Sequence, residues 1–205
     1  MYKEKVKDEM RPHISLWKTC KMLEYVLEQN LKYVEEKYLY AIILVLQYFT
    51  FEAYLNFLGH NIKPKIWEKE RSYFYKKTHN GRKSTLGKFW FLAINCECKD
   101  YFQKEGEEYF KFVEEDLKGI RDFFTHAKPE IHEKERLINS DKFPEFIENF
   151  VDKNVDLQTV NKGNRCIEKI ILKLHEKAKE IHKHDRNVEN PLYGPDRILS
   201  GKSTN

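Results

Sequence analysis

The chain has 205 residues, of which 40% are hydrophobic and 34% charged, and its formal net charge is +4. This composition excludes a disordered chain and supplies enough apolar side chains for the core of one domain. The first ten residues, MYKEKVKDEM, are charged, so we expect no secretory signal peptide. No CxxC pair occurs among Cys20, Cys96, Cys98 and Cys166, which we interpret as reduced thiols of a cytoplasmic protein.

Apolar spacing predicts two long helices in the first third of the chain. The first covers about residues 12–36, and Pro12 suits its first turn. The second covers about residues 36–61 and is apolar on nearly every side, so we expect it to be the buried middle of a helical bundle. Its most apolar run is short and contains Gln47, which argues against a membrane span.

Residues 63–104 form the electropositive part of the chain, with eleven Lys and Arg against four Asp and Glu, a net charge of +7. Residues 63–85 lack helical periodicity and are expected to be irregular, with a turn at His79-Asn80-Gly81. Ser84 or Thr85 then caps a short helix that runs to about Phe102. Basic and aromatic residues are mixed here, which suits RNA binding, although the aromatic rings could instead pack on the bundle. The candidate RNA-binding cations of the chain are Arg71, Lys76, Lys77, Arg82, Lys83, Lys88 and Lys128.

The remaining elements complete an all-α fold. An amphipathic helix covers residues 105–126, a loop region over 130–158 contains a short helix near 143–150, and a last long helix covers about residues 160–184. We therefore predict an antiparallel bundle of four to five main helices. Residues 1–185 form one domain with 63–104 as a basic insert, and residues 186–205 form a flexible C-terminal tail.

The helix over residues 105–126 carries the strongest functional candidate. A core stripe is predicted from apolar residues spaced by three and four: Phe110, Val113, Leu117, Ile120 and Phe124. Arg121, Asp122 and His126 interrupt the end of this apolar helix, and Pro129 stops it.

The spacing gives two readings of these polar residues. Asp122 and His126 lie one turn apart, so the carboxylate can accept a hydrogen bond from the imidazole and favour its protonated form. Alternatively the two are only a surface ion pair. Arg121 lies about 140° around the helix from His126, so the two converge only if the helix end frays. Glu52, inside the buried second helix, either faces a bundle edge or pairs with a cation, and Arg121 is one candidate for that cation.

Two segments resemble the HEPN superfamily (higher eukaryotes and prokaryotes nucleotide-binding domains). The first is FEAYLN, residues 51–56, at the end of the buried helix, and the second is RDFFTH, residues 121–126. The second matches the Arg-x(4–6)-His motif of the family. The residue after the arginine in this motif is usually polar, often Asn and sometimes Asp or His, and here it is Asp122. The resemblance covers roughly residues 12–184.

The resemblance implies a helical bundle that dimerises with two-fold symmetry around the motif helices. Many members are metal-independent endoribonucleases of toxin–antitoxin, phage-defence or RNA-processing systems, and toxin members pair with an antitoxin such as a small nucleotidyltransferase. Here His126 would act as acid or base, Arg121 would clamp the phosphate, Asp122 would orient His126, and Thr125 would donate a hydrogen bond. No metal or cofactor is implied.

Two alternatives to the ribonuclease remain open from the sequence. The first is a HEPN-like dimer without catalytic activity that binds RNA, a nucleotide or a protein partner. The second is an unrelated helical interaction protein in which Arg121 and His126 are incidental.

Overall fold

The structure is a computed structural model that describes residues 5–29, 36–126, 155–183, 185, 188–195 and 197–202. The side chains of residues 5–9, 126 and 197–202 lie outside this description. Helices dominate the described residues, which confirms the all-α class.

Two antiparallel N-terminal helices were expected, and both are present. Helix α1 spans Pro12–Glu28 with Pro12 at its first position, and helix α2 spans Glu36–Ile62. The predicted extension of the first helix to residue 36 falls on residues 30–35, outside the described residues. Helix α2 is buried on most sides, because α1, the C-terminal half of the chain and the short helices after it all pack against it.

Helix α2 is, by length and composition, the one helix of the described segments that is apolar enough to cross a membrane. More than half of its most apolar window is buried inside the protein. This arrangement is compatible with the core helix of a soluble protein.

Residues 63–85 are more regular than the sequence predicted. They contain two short helices, α3 (Pro64–Trp67) and α4 (Glu70–Lys76). Each helix buries one aromatic ring and is too short for a second buried residue one turn away. No helical spacing of apolar residues can therefore be recognised in either sequence. The predicted turn is confirmed: His79 pairs with Arg82, and Asn80 and Gly81 both have positive φ.

The next predicted helix is divided into two. Helix α5 spans Ser84–Asn95, α6 spans Lys99–Gln103, and the chain breaks between them at Glu97, where φ is 52°. The predicted capping by Ser84 or Thr85 is wrong. Lys83 occupies the cap position without a side-chain hydrogen bond, and the Thr85 hydroxyl is used elsewhere.

The motif helix is continuous from residue 107 to residue 126 but changes its winding. It consists of α7 (Glu107–Lys111), a π-helical segment (Phe112–Leu117) and α8 (Lys118–His126). Four residues of the predicted stripe are buried, whereas Phe124 is 38% exposed. Phe124 lies one turn beyond Ile120 in α8, close to where the described part of this helix ends.

A C-terminal helix spans Leu157–His182 and packs against α2 and the motif helix. The Asp156 carboxylate accepts a hydrogen bond from the Thr159 N–H at 2.6 Å and caps its start. The loop region predicted over 130–158, with its short helix, falls almost entirely outside the described residues. Because residues 63–103 form several short helices, the described part of the chain contains more helices than the four to five main helices expected.

The described parts of the two chain ends are paired with each other, and the predicted flexibility of residues 186–205 stays a prediction. Strand β1 (Lys5–Met10) pairs antiparallel with strand β2 (Arg197–Lys202), and Leu192 is buried in the core. Arg11 forms an ion pair with Asp185 at 2.9 Å, which also joins the start of α1 to the segment after the C-terminal helix.

Candidate functional site

Arg121 lies where α8 crosses α2, and three neighbours fix its guanidinium. Its Nη1 donates to Asp122 Oδ1 at 2.6 Å, and its Nη2 lies 3.8 Å from Glu52 Oε2. The guanidinium carbon is 4.7 Å from the centre of the Tyr48 ring, within cation–π range. Only 18% of the Arg121 side chain is exposed. Arg121 is therefore held rigidly at an interface between helices.

The α2 side of this site is a row of polar residues on an otherwise apolar helix. Tyr48, Glu52 and Asn56 are spaced by four and so share one face. Burial raises the pKa of Tyr48 to about 12, which keeps its phenol neutral. We call the contacts that these three residues make with other helices the polar seam.

Helix α5 supplies two partners of the polar seam. The Thr85 hydroxyl donates to Glu52 Oε1 at 2.9 Å, and Lys88 Nζ donates to Asn56 Oδ1 at 2.8 Å. Lys88 also forms an ion pair with Glu70 at 2.8 Å. Because Lys88 is buried in these contacts, its assignment to an RNA-binding surface is wrong. It is a structural cation that joins α2, α4 and α5.

Asp122 has two basic partners in the structure. It accepts hydrogen bonds from Lys118 Nζ at 2.7 Å and from Arg121 Nη1 at 2.6 Å. The predicted contact with His126 stays a prediction, since the side chain of His126 is outside the described residues. The Thr125 hydroxyl donates to the backbone carbonyl of Arg121 at 2.8 Å, so its proton is used within the helix.

The backbone of α8 separates the two motif residues. The helix remains α-helical through His126, so no fraying occurs up to that residue. Five residues at about 100° each place the backbone directions of Arg121 and His126 about 140° apart. Within one α8 helix the backbone therefore directs residues 121 and 126 to different sides.

Four of the candidate RNA-binding cations are exposed and form no ion pair within the described residues. Arg71, Lys76, Lys77 and Lys83 are exposed. Arg82 is exposed too, but it is bound to Glu114 of the π-helical segment, with Nη2 to Oε2 at 3.1 Å. Lys128 lies outside the described residues.

Most aromatic rings of the basic segment pack against one another. Trp67, Phe74 and Phe91 form a buried cluster with ring centres 5.0–5.8 Å apart. Tyr73 is covered on its faces by His79, stacked at 5.6 Å, and by Lys77 Nζ, 4.8 Å from its centre. For these residues the interpretation as packed aromatics is the correct one.

The remaining candidate chemistry lies in thiols and metal ligands. All four cysteines are buried free thiols, and burial raises the pKa of Cys20, Cys96 and Cys98 to about 12. These thiols are therefore protonated and unreactive at neutral pH. Within the described segments, no group of three or more His, Cys, Asp and Glu side chains is arranged to hold a metal ion.

Three residues of the site were not assigned to it from the sequence: Tyr48, Asn56 and Thr85. The signal that could have found the first two is the spacing of four between Tyr48, Glu52 and Asn56 in a largely apolar helix. Polar groups that are withdrawn from water in this way require partners from neighbouring helices.

The comparisons with known proteins do not assign the chain to a family. No family model matches the sequence, and no match was found among curated proteins or solved structures. The functional assignment therefore depends on the residues and their geometry.

Proposed function

We propose that this protein is a metal-independent endoribonuclease of the HEPN type, which acts as a two-fold dimer with Arg121 and His126 in a composite site. The observation that carries the proposal is the fixed position of Arg121. Glu52, Asp122 and the Tyr48 ring hold its guanidinium one helical turn and a half before His126. Such a preorganised cation suits the stabilisation of negative charge in a transition state.

The divergence of Arg121 and His126 on α8 supports the dimer. In one helix that remains regular through residue 126, the backbone directions at residues 121 and 126 differ by about 140°, which favours a site completed by a second chain. Two copies of α8 related by a two-fold axis would bring two arginines and two histidines to one cleft. This arrangement supplies the acid, the base and the cation that the reaction needs.

The proposed reaction is an in-line transesterification of RNA. One His126 takes the proton of a ribose 2′-OH, and the 2′-oxygen forms a bond to phosphorus. The bond between phosphorus and the 5′-oxygen breaks, and the other His126 protonates that oxygen. Arg121 stabilises the extra negative charge on the phosphoryl oxygens, and the products carry a 2′,3′-cyclic phosphate and a 5′-hydroxyl.

A second candidate is a HEPN-like dimer without catalytic activity, which binds RNA, a nucleotide or a protein partner. The intrachain contacts of Arg121 favour it, because two carboxylates already lie within 4 Å of the guanidinium. A phosphate would have to share the guanidinium with Asp122 and Glu52. The first candidate cuts RNA, whereas the second only binds its RNA, nucleotide or protein ligand.

The proposal also includes a biological setting. An endoribonuclease of this kind would act in the cytoplasm, in a toxin–antitoxin, phage-defence or RNA-processing system. A cognate antitoxin such as a small nucleotidyltransferase would hold its activity in check. Buried, protonated thiols fit a reducing compartment.

The test is ribonuclease activity of the full chain in EDTA, with the wild type compared with His126→Ala and Arg121→Ala. We expect the wild type to release 2′,3′-cyclic phosphate ends and both variants to lose at least about a hundredfold in rate. His182→Ala is the matched control, since His182 also lies in the last turn of a helix but outside the site.

Circular dichroism and light scattering establish that each variant remains a folded dimer. Equal cleavage by all four proteins would contradict the assignment, because the activity would then come from another site or a contaminant. Tight RNA binding without cleavage by the wild type would favour the second candidate.

A further inference from the structure

One aromatic ring of the basic segment remains open to solvent. Tyr75 is 69% exposed, whereas its neighbour Phe74 is fully buried in the aromatic cluster with Trp67 and Phe91. The buried neighbour fixes α4 on the protein, so the Tyr75 ring stands on a rigid support. A tyrosine held in this way offers a flat contact face at a small cost in conformational entropy.

Exposed cations lie on both sides of Tyr75 along the chain. Arg71 precedes it by four residues, so the two side chains leave α4 on the same face. Lys76 and Lys77 directly follow Tyr75, and Lys83 comes directly after the turn in which His79 pairs with Arg82. No acidic side chain in the described part of the protein forms an ion pair with any of these four cations. Lys77 Nζ lies over the Tyr73 ring, and the charges of Arg71, Lys76 and Lys83 are available to a ligand.

The turn that carries these cations is attached to the motif helix. Arg82 closes the turn by pairing with His79, and its guanidinium binds Glu114 in the π-helical segment. Arg82 therefore serves as an anchor, and the exposed cations around it are held at a fixed distance from α8.

A second link joins the cations to Arg121. Thr85 follows Lys83 by two residues and donates to Glu52, whose second oxygen lies 3.8 Å from Arg121. Two residues span at most about 7 Å. Lys83, at the end of the turn that connects α4 to α5, is thus the exposed cation that the chain places next to the Arg121 site.

We propose that Tyr75, Arg71, Lys76, Lys77 and Lys83 form a surface that binds single-stranded RNA and leads it to Arg121. The inference rests on the proposed ribonuclease function and specifies its substrate class. An unpaired base stacks on the Tyr75 ring while the cations contact the phosphates on either side. A duplex keeps its bases stacked inside, so it offers no free base to this ring.

The experiment measures fluorescence anisotropy with a labelled single-stranded 2′-O-methyl RNA, which cannot be cut because its 2′-oxygen is blocked. We expect Tyr75→Ala to weaken binding roughly tenfold, which is within the range for loss of one stacked base, and Tyr75→Phe to bind like the wild type. Tyr25→Ala is the matched control, because Tyr25 is also a tyrosine on a helix surface, 62% exposed.

Salt dependence provides a second, independent measurement. Each phosphate contact to a single strand contributes about 0.7 to the slope of log K against log salt. Lys76→Ala and Lys83→Ala are therefore each expected to lower the slope by about that amount, whereas Lys18→Ala, an exposed lysine on α1, leaves it unchanged.

The proposed surface is contradicted if Tyr75→Ala binds the single-stranded RNA as tightly as Tyr25→Ala does. It is also contradicted if the wild type binds a duplex of the same sequence more tightly than the single strand, or if it binds neither RNA. Cleavage of unmodified RNA is scored separately. If cleavage requires Arg121 and His126 but is unaffected by Tyr75→Ala, the proposed RNA-binding surface is contradicted and the proposed ribonuclease function is retained. Binding that depends on Tyr75, without any cleavage, would support the surface and contradict the enzyme.

Discussion

Glu52 on α2 and Arg121 on α8 meet across the helix interface, with 3.8 Å between Oε2 and Nη2. The other oxygen of Glu52 accepts a hydrogen bond from Thr85 on α5 at 2.9 Å. One carboxylate therefore joins three helices and sets the position of the arginine. This contact relates the stability of the fold directly to the geometry of the candidate site.

The first prediction concerns the coupling between these two residues. Glu52→Gln keeps the shape of the side chain but removes its charge, and we expect it to lower the free energy of unfolding by about 1 kcal/mol, because both side chains are partly exposed. Arg121→Gln should cost less in the Glu52→Gln background than in the wild type. Urea denaturation of the four proteins of this double-mutant cycle measures the coupling. Additive losses would show that the contact contributes nothing.

The second prediction separates the buried lysine from the exposed ones. Lys88→Met leaves Glu70 and Asn56 without their buried partner, so we expect a loss of about 3 kcal/mol in the free energy of unfolding. Lys76→Met, at an exposed position, should change stability by less than about 0.5 kcal/mol. Urea denaturation checks both values, and a similar small effect for the two variants would contradict the structural role of Lys88.

The contrast between these lysines illustrates what could be predicted from the sequence. The apolar period of α2 and of the motif helix is a one-dimensional signal, so both helices and most of their buried stripes are predictable. A count of charges does not distinguish Lys76 from Lys88. Lys88 is buried only because α2 and α5 pack together. The contacts of the polar seam and the burial of Lys88 arise from this packing between helices. They cannot be recognised from the neighbouring residues in the sequence.

The π-helical segment shows a second limit of sequence reasoning. Phe112–Leu117 has an ordinary helical composition, and no residue in it predicts π-helical rather than α-helical turns. These turns rotate α8 relative to α7, whereas the sequence predicted one unbroken α-helical period. The proximity of Glu52 to Arg121 was a candidate from the sequence because a lone carboxylate in an apolar helix requires a partner. The identity of Thr85 as its other partner depends on tertiary structure.

The third prediction tests the packing at the end of α2. A Cβ atom added at Gly59 would lie 2.0 Å from the Trp67 ring, so Gly59→Ala should cost about 3 kcal/mol in the free energy of unfolding. Gly119 on α8 has no atom within 4 Å of an added Cβ, and Gly119→Ala should stabilise the protein by about 0.5–1 kcal/mol through helix propensity. Thermal unfolding of both variants distinguishes them by the sign of the change in Tm. A gain in Tm for Gly59→Ala would contradict this packing.

The fourth prediction concerns pH. His13 is buried, its Nε2 donates to the Pro191 carbonyl at 3.1 Å, and burial lowers its pKa from 6.5 to about 4. Between these two values the unfolded chain binds a proton that the folded chain does not. Stability therefore falls as the pH drops from about 6.5 to about 4, by about 3 kcal/mol from this group. His175, whose pKa burial also lowers, acts in the same direction.

The variant for this prediction is His13→Gln, which keeps a side-chain N–H donor but does not titrate. Urea denaturation from pH 7 to pH 4 should show a smaller loss of stability for His13→Gln than for the wild type. His60→Gln, at an exposed position on α2, should retain the full loss. Identical pH profiles for His13→Gln and the wild type would show that His13 does not contribute.

The central claim is that Arg121 and His126 act in one cleft formed by two chains, and subunit mixing tests it most directly. Wild-type protein is exchanged with about nine equivalents of His126→Ala, and ribonuclease activity is measured in EDTA. If both histidines of a dimer are needed, random exchange leaves about a tenth of the wild-type chains in fully active dimers, so the activity falls about tenfold. His182→Ala in the same excess leaves the activity unchanged. Undiminished activity in the presence of excess His126→Ala, once exchange is established, would mean that each chain acts alone and would contradict the composite site.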